Sequence, residues 1–199
     1  MQPAAIGIRV HSGWGALVAI SGKTGSEEVI ERQRVRIIEP GSAGAAQPYH
    51  YAEGMELPQA KKHIANCAAT SGRMALAAVS QIVKQLSERG YRVTGAAILL
   101  SSGRTLPALE KTLASHTMIH TAEGQFFRQA FRHALAELGI RVSGIVEREL
   151  EERAEDVLGK VAARVQKRIA GLGHELGPPW TQDEKRAMLA AAMVLGGLL

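Results

Sequence analysis

A single cysteine, Cys67, is the only thiol in this 199-residue chain, which excludes an intrachain disulfide and any fold stapled by bridges. It stands in His63-Ile64-Ala65-Asn66-Cys67-Ala68, a helical pattern in which a small buried thiol is expected rather than a nucleophile. Aromatics are scarce as well. Two Trp, three Tyr and three Phe leave the core to Ala, Leu, Ile and Val, whose small side chains let helices approach closely. Long apolar runs are missing. The strongest, Met188 to Leu199, falls short of the roughly 20 residues that cross a bilayer core; it reads as a helix that docks on the core or forms a dimer. Met1-Gln2-Pro3-Ala4-Ala5 puts no basic segment ahead of an apolar one, so neither a secretory signal nor a membrane partner is expected, and the expected location is cytoplasmic.

What remains is ordinary globular material: 46% hydrophobic and 22% charged residues, enough for one substantial core. The net charge of +5 and pI near 9.6 suit a polyanionic partner, although the charge is spread along the chain. Its densest stretch, Glu147 to Arg168, places acids first and bases last, an order that complements a helix dipole without any ligand.

Three β-rich segments open the chain: Ala4 to Val10, Trp14 to Ser21 and Val29 to Ile38. Short Gly-containing joints predict antiparallel hairpins between them. In the third, Val29, Glu31, Gln33, Val35 and Ile37 alternate with Ile30, Arg32, Arg34 and Arg36, and the arginine side is expected to face solvent at least in part. A polar loop from Glu39 to Leu57 leads to Pro58, which fits the first turn of a helix running to Arg89, with a bend expected at Ser71-Gly72. Tyr91 to Ser101 reads as a central strand buried on both faces. Helix is predicted for Leu106 to Ser115 and Glu123 to Leu138, a strand for Ile140 to Val146, and one long amphipathic helix from Glu147 through Leu172. Thr181 and Glu184 have the spacing of a capping box for a last helix.

Chemistry gathers around a doubled pentad. His50-Tyr51-Ala52-Glu53-Gly54 and His120-Thr121-Ala122-Glu123-Gly124 share His-x-Ala-Glu-Gly, and Gln59, Ala60 and His63 match Gln129, Ala130 and His133 at the same offset of 70 residues. The flanking segments share no period, so the repeat points to polar residues rather than to a duplication. The second copy is the better candidate, and the first is expected to contribute only to its rim. On one continuous helix His116, His120 and Glu123 share a face and form a ligand set for a divalent metal. The alternative is that Thr121 caps a helix starting near Ala122 and leaves the two histidines in a turn. His63 and His133 read as structural polar residues, and Phe126, Phe127 and Phe131 as helix packing.

A second candidate is a crevice at the carboxyl ends of the first and fourth strands, where open α/β sheets bind ligands. There His11, Ser12 and Gly13 would face Ser101, Ser102, Gly103 and Arg104, a set able to hold a small anionic ligand, with His11 either transferring a proton or activating a serine such as Ser101. Arg128 is placed to pair with Glu123 or to bind a carboxylate or phosphate.

Three hairpin strands, a long helix, a buried strand, a helix, and a fifth strand followed by helix resemble the ribonuclease H-like fold over roughly residues 4 to 170. Nucleases of that fold place metal-binding acids on the first strand, near the end of the fourth and on a late helix. Here the first two stretches read Ile8-Arg9-Val10-His11-Ser12-Gly13 and Leu99-Leu100-Ser101-Ser102-Gly103, without an acid; Glu147 or Glu149 remains for the third, so a two-metal nuclease is not expected. The loop Gly44-Ala45-Ala46-Gln47 also resembles the Gly-Gly-Gln loop in the middle domain of eukaryotic and archaeal peptide release factors, which implies that Gln47 enters a peptidyl-transferase centre; Gln47 and His50 are both ligand-binding candidates.

The expectation is therefore an α/β protein with a five-stranded mixed sheet: residues 1–172 as the ribonuclease H-like domain, and 173–199 as a linker and helix packed on it. Its expected role is as a non-nuclease module binding RNA or the translation apparatus, the ribosome included. Two competing readings are a small-molecule or metal-dependent hydrolase or transferase, using His116, His120 and Glu123 or His11 with Ser101, and a non-catalytic oligomer assembled through the last helix.

Overall fold

The computed structural model describes residues 1–101 and 105–199. Alternating apolar residues fold β1 (Gln2–His11), β2 (Trp14–Ser21) and β3 (Glu28–Arg36) into an antiparallel meander. His11 pairs with Trp14, so Ser12 and Gly13 alone make the first turn. Gly13, the second of the two, adopts φ 78° while Ser12 does not have a positive φ, a pattern of type II turns, which favour glycine at that position. After α1 (Pro48–Ala52) and α2 (Leu57–Glu88) the chain enters β4 (Tyr91–Leu100), then α3 (Leu109–Leu113), α4 (His116–Glu137) and β5 (Val142–Val146). Helices α5 (Leu150–Leu158), α6 (Ala162–Gly171), α7 (Gly173–Leu176) and α8 (Gln182–Leu195) complete it. The sheet runs β3-β2-β1-β4-β5, with β4 parallel to β1 and to β5, which is the five-stranded mixed sheet expected.

The sheet carries a hydrophobic core on each face. On one, Ala75, Val79, Ile82 and Leu86 of α2 and Phe127, Phe131 and Leu135 of α4 cover Ile6 and Ile8 of β1. On the other, Leu150, Ala154, Val165, Ile169 and residues 187–194 of α8 cover Ala5, Val18, Ala97 and Leu99. β1 and β4 feed both cores, which is why they read as nearly unbroken apolar runs. Close approach on the second face depends on Gly7. A Cβ there would lie 1.8 Å from the Ala187 carbonyl oxygen and 3.0 Å from the Ala191 nitrogen, so α8 rests its backbone on β1.

Several expectations are corrected. β3 bulges at Ile30: Val29 pairs with Ile20 and Glu31 with Ala19, which turns Ile30 into the same core as Val35 and Ile37 and breaks the alternation. Arg34 and Arg36 are exposed as expected, while Arg32, half-buried, donates to the carbonyls of Leu176, Gly177 and Pro179 at 2.6–2.9 Å. The long helix expected after Glu147 is two helices, interrupted where Gly159 takes φ 54°. Helix α2 runs unbroken through Ser71 and Gly72. Helix α4 begins at His116, and Thr121 bonds back to the Thr117 carbonyl at 3.0 Å instead of capping.

The capping box of α8 forms, Thr181 accepting from Asp183 N and Glu184 from Thr181 N. Because residues 187–194 of α8 are buried within their own chain, this helix has no free apolar face for a second copy, and the oligomer expected through it loses its physical basis. Among the described residues no helix is long and apolar enough to cross a membrane.

Candidate metal centre

Residue spacing on α4 sets the site. His116 and His120 are one turn apart at its start, with their Nε2 atoms 3.0 Å from each other, a separation that suits two imidazoles sharing one cation. His50, on α1, closes the group: its ring centroid lies 5.5 Å from that of His116 and 4.7 Å from that of His120. One ligand nitrogen from each of the three falls within 4.8 Å of the others. The metal set expected from sequence was His116, His120 and Glu123; in the structure His50 takes the place of Glu123. Of the first pentad only His50 joins this group; Tyr51 and Glu53 are exposed.

Glu123 does something else. Its Oε1 accepts from the backbone nitrogens of Tyr49 at 2.8 Å and His50 at 3.0 Å, and from His50 Nδ1 at 3.2 Å. Helix α1 has no side-chain cap of its own on Gln47, so a carboxylate from α4 caps it and fixes the His50 ring in the same stroke. Glu123 is 6% exposed, and its Oε2 is buried without a hydrogen-bond partner among the described residues. A buried, unpaired carboxylate oxygen is costly, and a cation or a proton arriving beside it would relieve that cost.

A polar pocket of about 250 Å³ adjoins this group, lined by His11, Ser12, Gln47, His50, His120, Glu123 and Arg128 together with Val10 and Gly124. The two candidate regions of the sequence thus meet in one cavity. Arg128 does not pair with Glu123. Its Nε donates to Leu99 O at 2.7 Å and another nitrogen donates to Gly124 O, and burial pulls its pKa down from the ordinary arginine value. No acid forms a salt bridge with it among the described residues, so its charge is available to an anion in the pocket.

Other candidates fall elsewhere. Gly13 lies in the turn under Ile38, its carbonyl accepting from Ile37 N at 2.9 Å, and is not in the pocket wall. Ser101 is exposed, its Oγ beside Gly124. Ser102, Gly103 and Arg104 lie outside the described residues. The expected His11–Ser101 pair does not form; His11 Nε2 meets Asp183 Oδ1 at 3.0 Å and its ring stacks on Trp14 with centroids 4.3 Å apart. Cys67 is half-buried beside His63, and burial, with the nearby charge of Glu123, pushes its thiol pKa up, against nucleophilic use.

Sequence reasoning missed Asp183, Trp14 and Arg9. Asp183 was visible only as a first-turn acid of α8, which helix stabilisation alone explains. Arg9 lies on the first strand, where a nuclease acid was sought, and contacts both Glu147 and Asp183; Arg186 also contacts Glu147. Burial alone would raise the pKa of both acids, but the hydrogen bonds outweigh it and hold them below the ordinary carboxylate range: those from Arg186 and Arg9 to Glu147, and those from Arg9 and His11 to Asp183. Since the folded-state pKa is depressed, this stabilisation is present above about pH 4 and is lost as pH falls through and below that value. Thermal midpoints measured from pH 7 down to 3 should drop steeply below pH 4, and Glu147→Gln should lower the neutral midpoint while flattening the acid limb.

No protein-family model and no curated protein matches the sequence. Solved structures do match. RuvC from Thermus thermophilus is similar with a TM-score of 0.50 and 11% identity, covering 96% of this chain and 92% of that one. RuvC from the same organism in complex with its Holliday junction substrate is similar with a TM-score of 0.49 and 12% identity over 96% and 90%. The expectation of a non-nuclease module for RNA or the translation apparatus is corrected by this result: the solved structure that this chain resembles is RuvC, not a protein of translation, and the release-factor resemblance is not supported. What the likeness shows is the fold, an α/β ribonuclease H-like architecture around a five-stranded mixed sheet.

Proposed function

We propose that this protein is a divalent-metal-dependent hydrolase of phosphoesters, with His50, His116 and His120 as the metal ligands. The observation that carries this reading is the convergence of three histidine nitrogens within 4.8 Å beside the anchored carboxylate of Glu123. Three imidazoles favour zinc and its first-row neighbours over magnesium or calcium. His116 and His120 are exposed, which leaves a coordination position open to water and substrate, as a catalytic site needs. A metal held by these three residues would lower the pKa of a bound water and so supply hydroxide near neutral pH.

Arg128 and the polar pocket favour an anionic ester next to that hydroxide, and a phosphoryl group suits a guanidinium. The charge of +5 and the exposed Arg34 and Arg36 on β3 support nucleic acid as one source of that phosphoester. The test is hydrolysis of bis(p-nitrophenyl) phosphate and of short DNA by protein loaded with zinc or manganese, against the chelated protein. Expected are metal-dependent turnover of the small ester, its loss in His120→Ala and in His50→Ala, and DNA cleavage that weakens with salt if the polymer is the substrate. Turnover that ignores chelator, or no turnover of either ester, overturns the reading.

A further inference from the structure

Besides His50 and His120 the pocket has a third histidine, His11, whose surroundings the metal centre does not explain. His50 and His120 reach the cavity from α1 and α4, on the sheet face covered by α2 and α4. His11 enters it from the end of β1, held by a residue of α8 on the opposite face: its Nε2 meets Asp183 Oδ1 at 3.0 Å. Asp183 is itself fixed, by Arg9 and by its place in the first turn of a capped helix. Trp14 stacks on the His11 ring at 12° between planes. A ring held by a carboxylate on one nitrogen and a stacked indole on its face presents its other nitrogen, Nδ1, in a fixed direction.

We infer that His11 is the general acid of the reaction, giving its Nδ1 proton to the leaving oxygen, and that Asp183 is its positioning residue. The inference rests on the phosphoester reading above. In the step, a hydroxide supplied at the three histidines, were they to hold a metal, would form the new oxygen–phosphorus bond. The bond from phosphorus to the ester oxygen breaks, and its electron pair stays on that oxygen. The oxygen takes the Nδ1 proton of protonated His11, leaving a neutral imidazole whose Nε2–H still donates to Asp183. Solvent receives the proton lost when water became hydroxide and later returns one to His11, so the sum is ester plus water giving acid plus alcohol. A carboxylate on Nε2 fixes this tautomer, as an oriented acid requires.

The experiment compares two phosphodiesters with zinc-loaded protein: bis(p-nitrophenyl) phosphate, whose leaving group departs without a proton, and a dinucleotide, whose alkoxide does not. His11→Gln is expected to lose about 100-fold or more on the dinucleotide, within the ordinary range for a general acid, and at least about tenfold less than that on the nitrophenyl ester. Asp183→Asn should show the same bias with a smaller loss, and both variants should keep the zinc-induced rise in melting temperature, which shows that they fold and bind metal. Equal losses on both substrates, or loss of the zinc response in His11→Gln, overturn the inference. Wild-type protein that binds zinc yet cleaves neither ester defeats the hydrolase reading and this inference with it, a pattern distinct from equal losses in the variants.

Discussion

Gly7→Ala should destabilise the fold more than the same change at any other described glycine. The new Cβ would stand 1.8 Å from the carbonyl oxygen of Ala187 and 2.8 Å from its carbon. Both are backbone atoms of a helix whose residues 187–194 are buried, so neither can move aside without lifting α8 off β1. Overpacking a tight core costs about 1–3 kcal/mol and at times more. A contact this short belongs at or above the upper end, against a total stability of about 5–15 kcal/mol for a typical domain. Gly72→Ala is the matched control. Gly72 sits inside α2 with nothing within 4 Å of its would-be Cβ, and exchanging a helical glycine for alanine stabilises by about 0.5–1 kcal/mol. Chemical denaturation of the two variants should move in opposite directions; a Gly7→Ala protein as stable as wild type would refute the close approach.

Zinc should raise the melting temperature of the wild-type protein by several degrees, and the variants should separate ligands from support. Ligand at 100 times its dissociation constant stabilises by about 2.7 kcal/mol, and each kcal/mol moves the midpoint of a protein this size by about 2–4 °C. His120→Ala removes a proposed ligand, so the shift should vanish. Glu123→Ala leaves all three histidines but frees His50 Nδ1 and strips two backbone donors of α1 of their acceptor. Zinc affinity should then fall by about 10–100-fold, the usual effect of losing a residue that orients a ligand. The apoprotein should also lose about 1–3 kcal/mol, since the Tyr49 and His50 nitrogens would be left unpaired. A Glu123→Ala protein with wild-type zinc affinity would show that the carboxylate only caps α1.

The sheet was legible because its signals are local. β2 occupies Trp14 to Ser21 as the β-rich pattern indicates, and Gly13 marks its turn. The His116–His120 pair was legible for the same reason, since one helical turn fixes two side chains on one face. His50 was not, because its place depends on α1 docking against α4, and nothing in Pro48 to Ala52 encodes that contact. The break at Gly159 was hidden inside an amphipathic rhythm that continues on both sides of it. Asp183 escaped for a different reason: acids in a first helical turn have a sufficient local explanation, so their tertiary partners leave no separate mark. The bulge at Ile30 put Val29 and Val35, which the alternation had placed on one face, on opposite faces of the sheet.

The seating of α8 on Gly7 also sets an order in time. His50, His116 and His120 all precede residue 121, whereas Asp183 follows His11 by 172 positions. A ribosome therefore makes the three proposed ligands long before it makes the carboxylate that orients His11. Contacts of such long sequence separation form late, since the intervening chain must be closed first. The three proposed ligands all lie on the side of the sheet away from α8, so Asp183 and the orientation it gives His11 would be the last part of the pocket to be put in place.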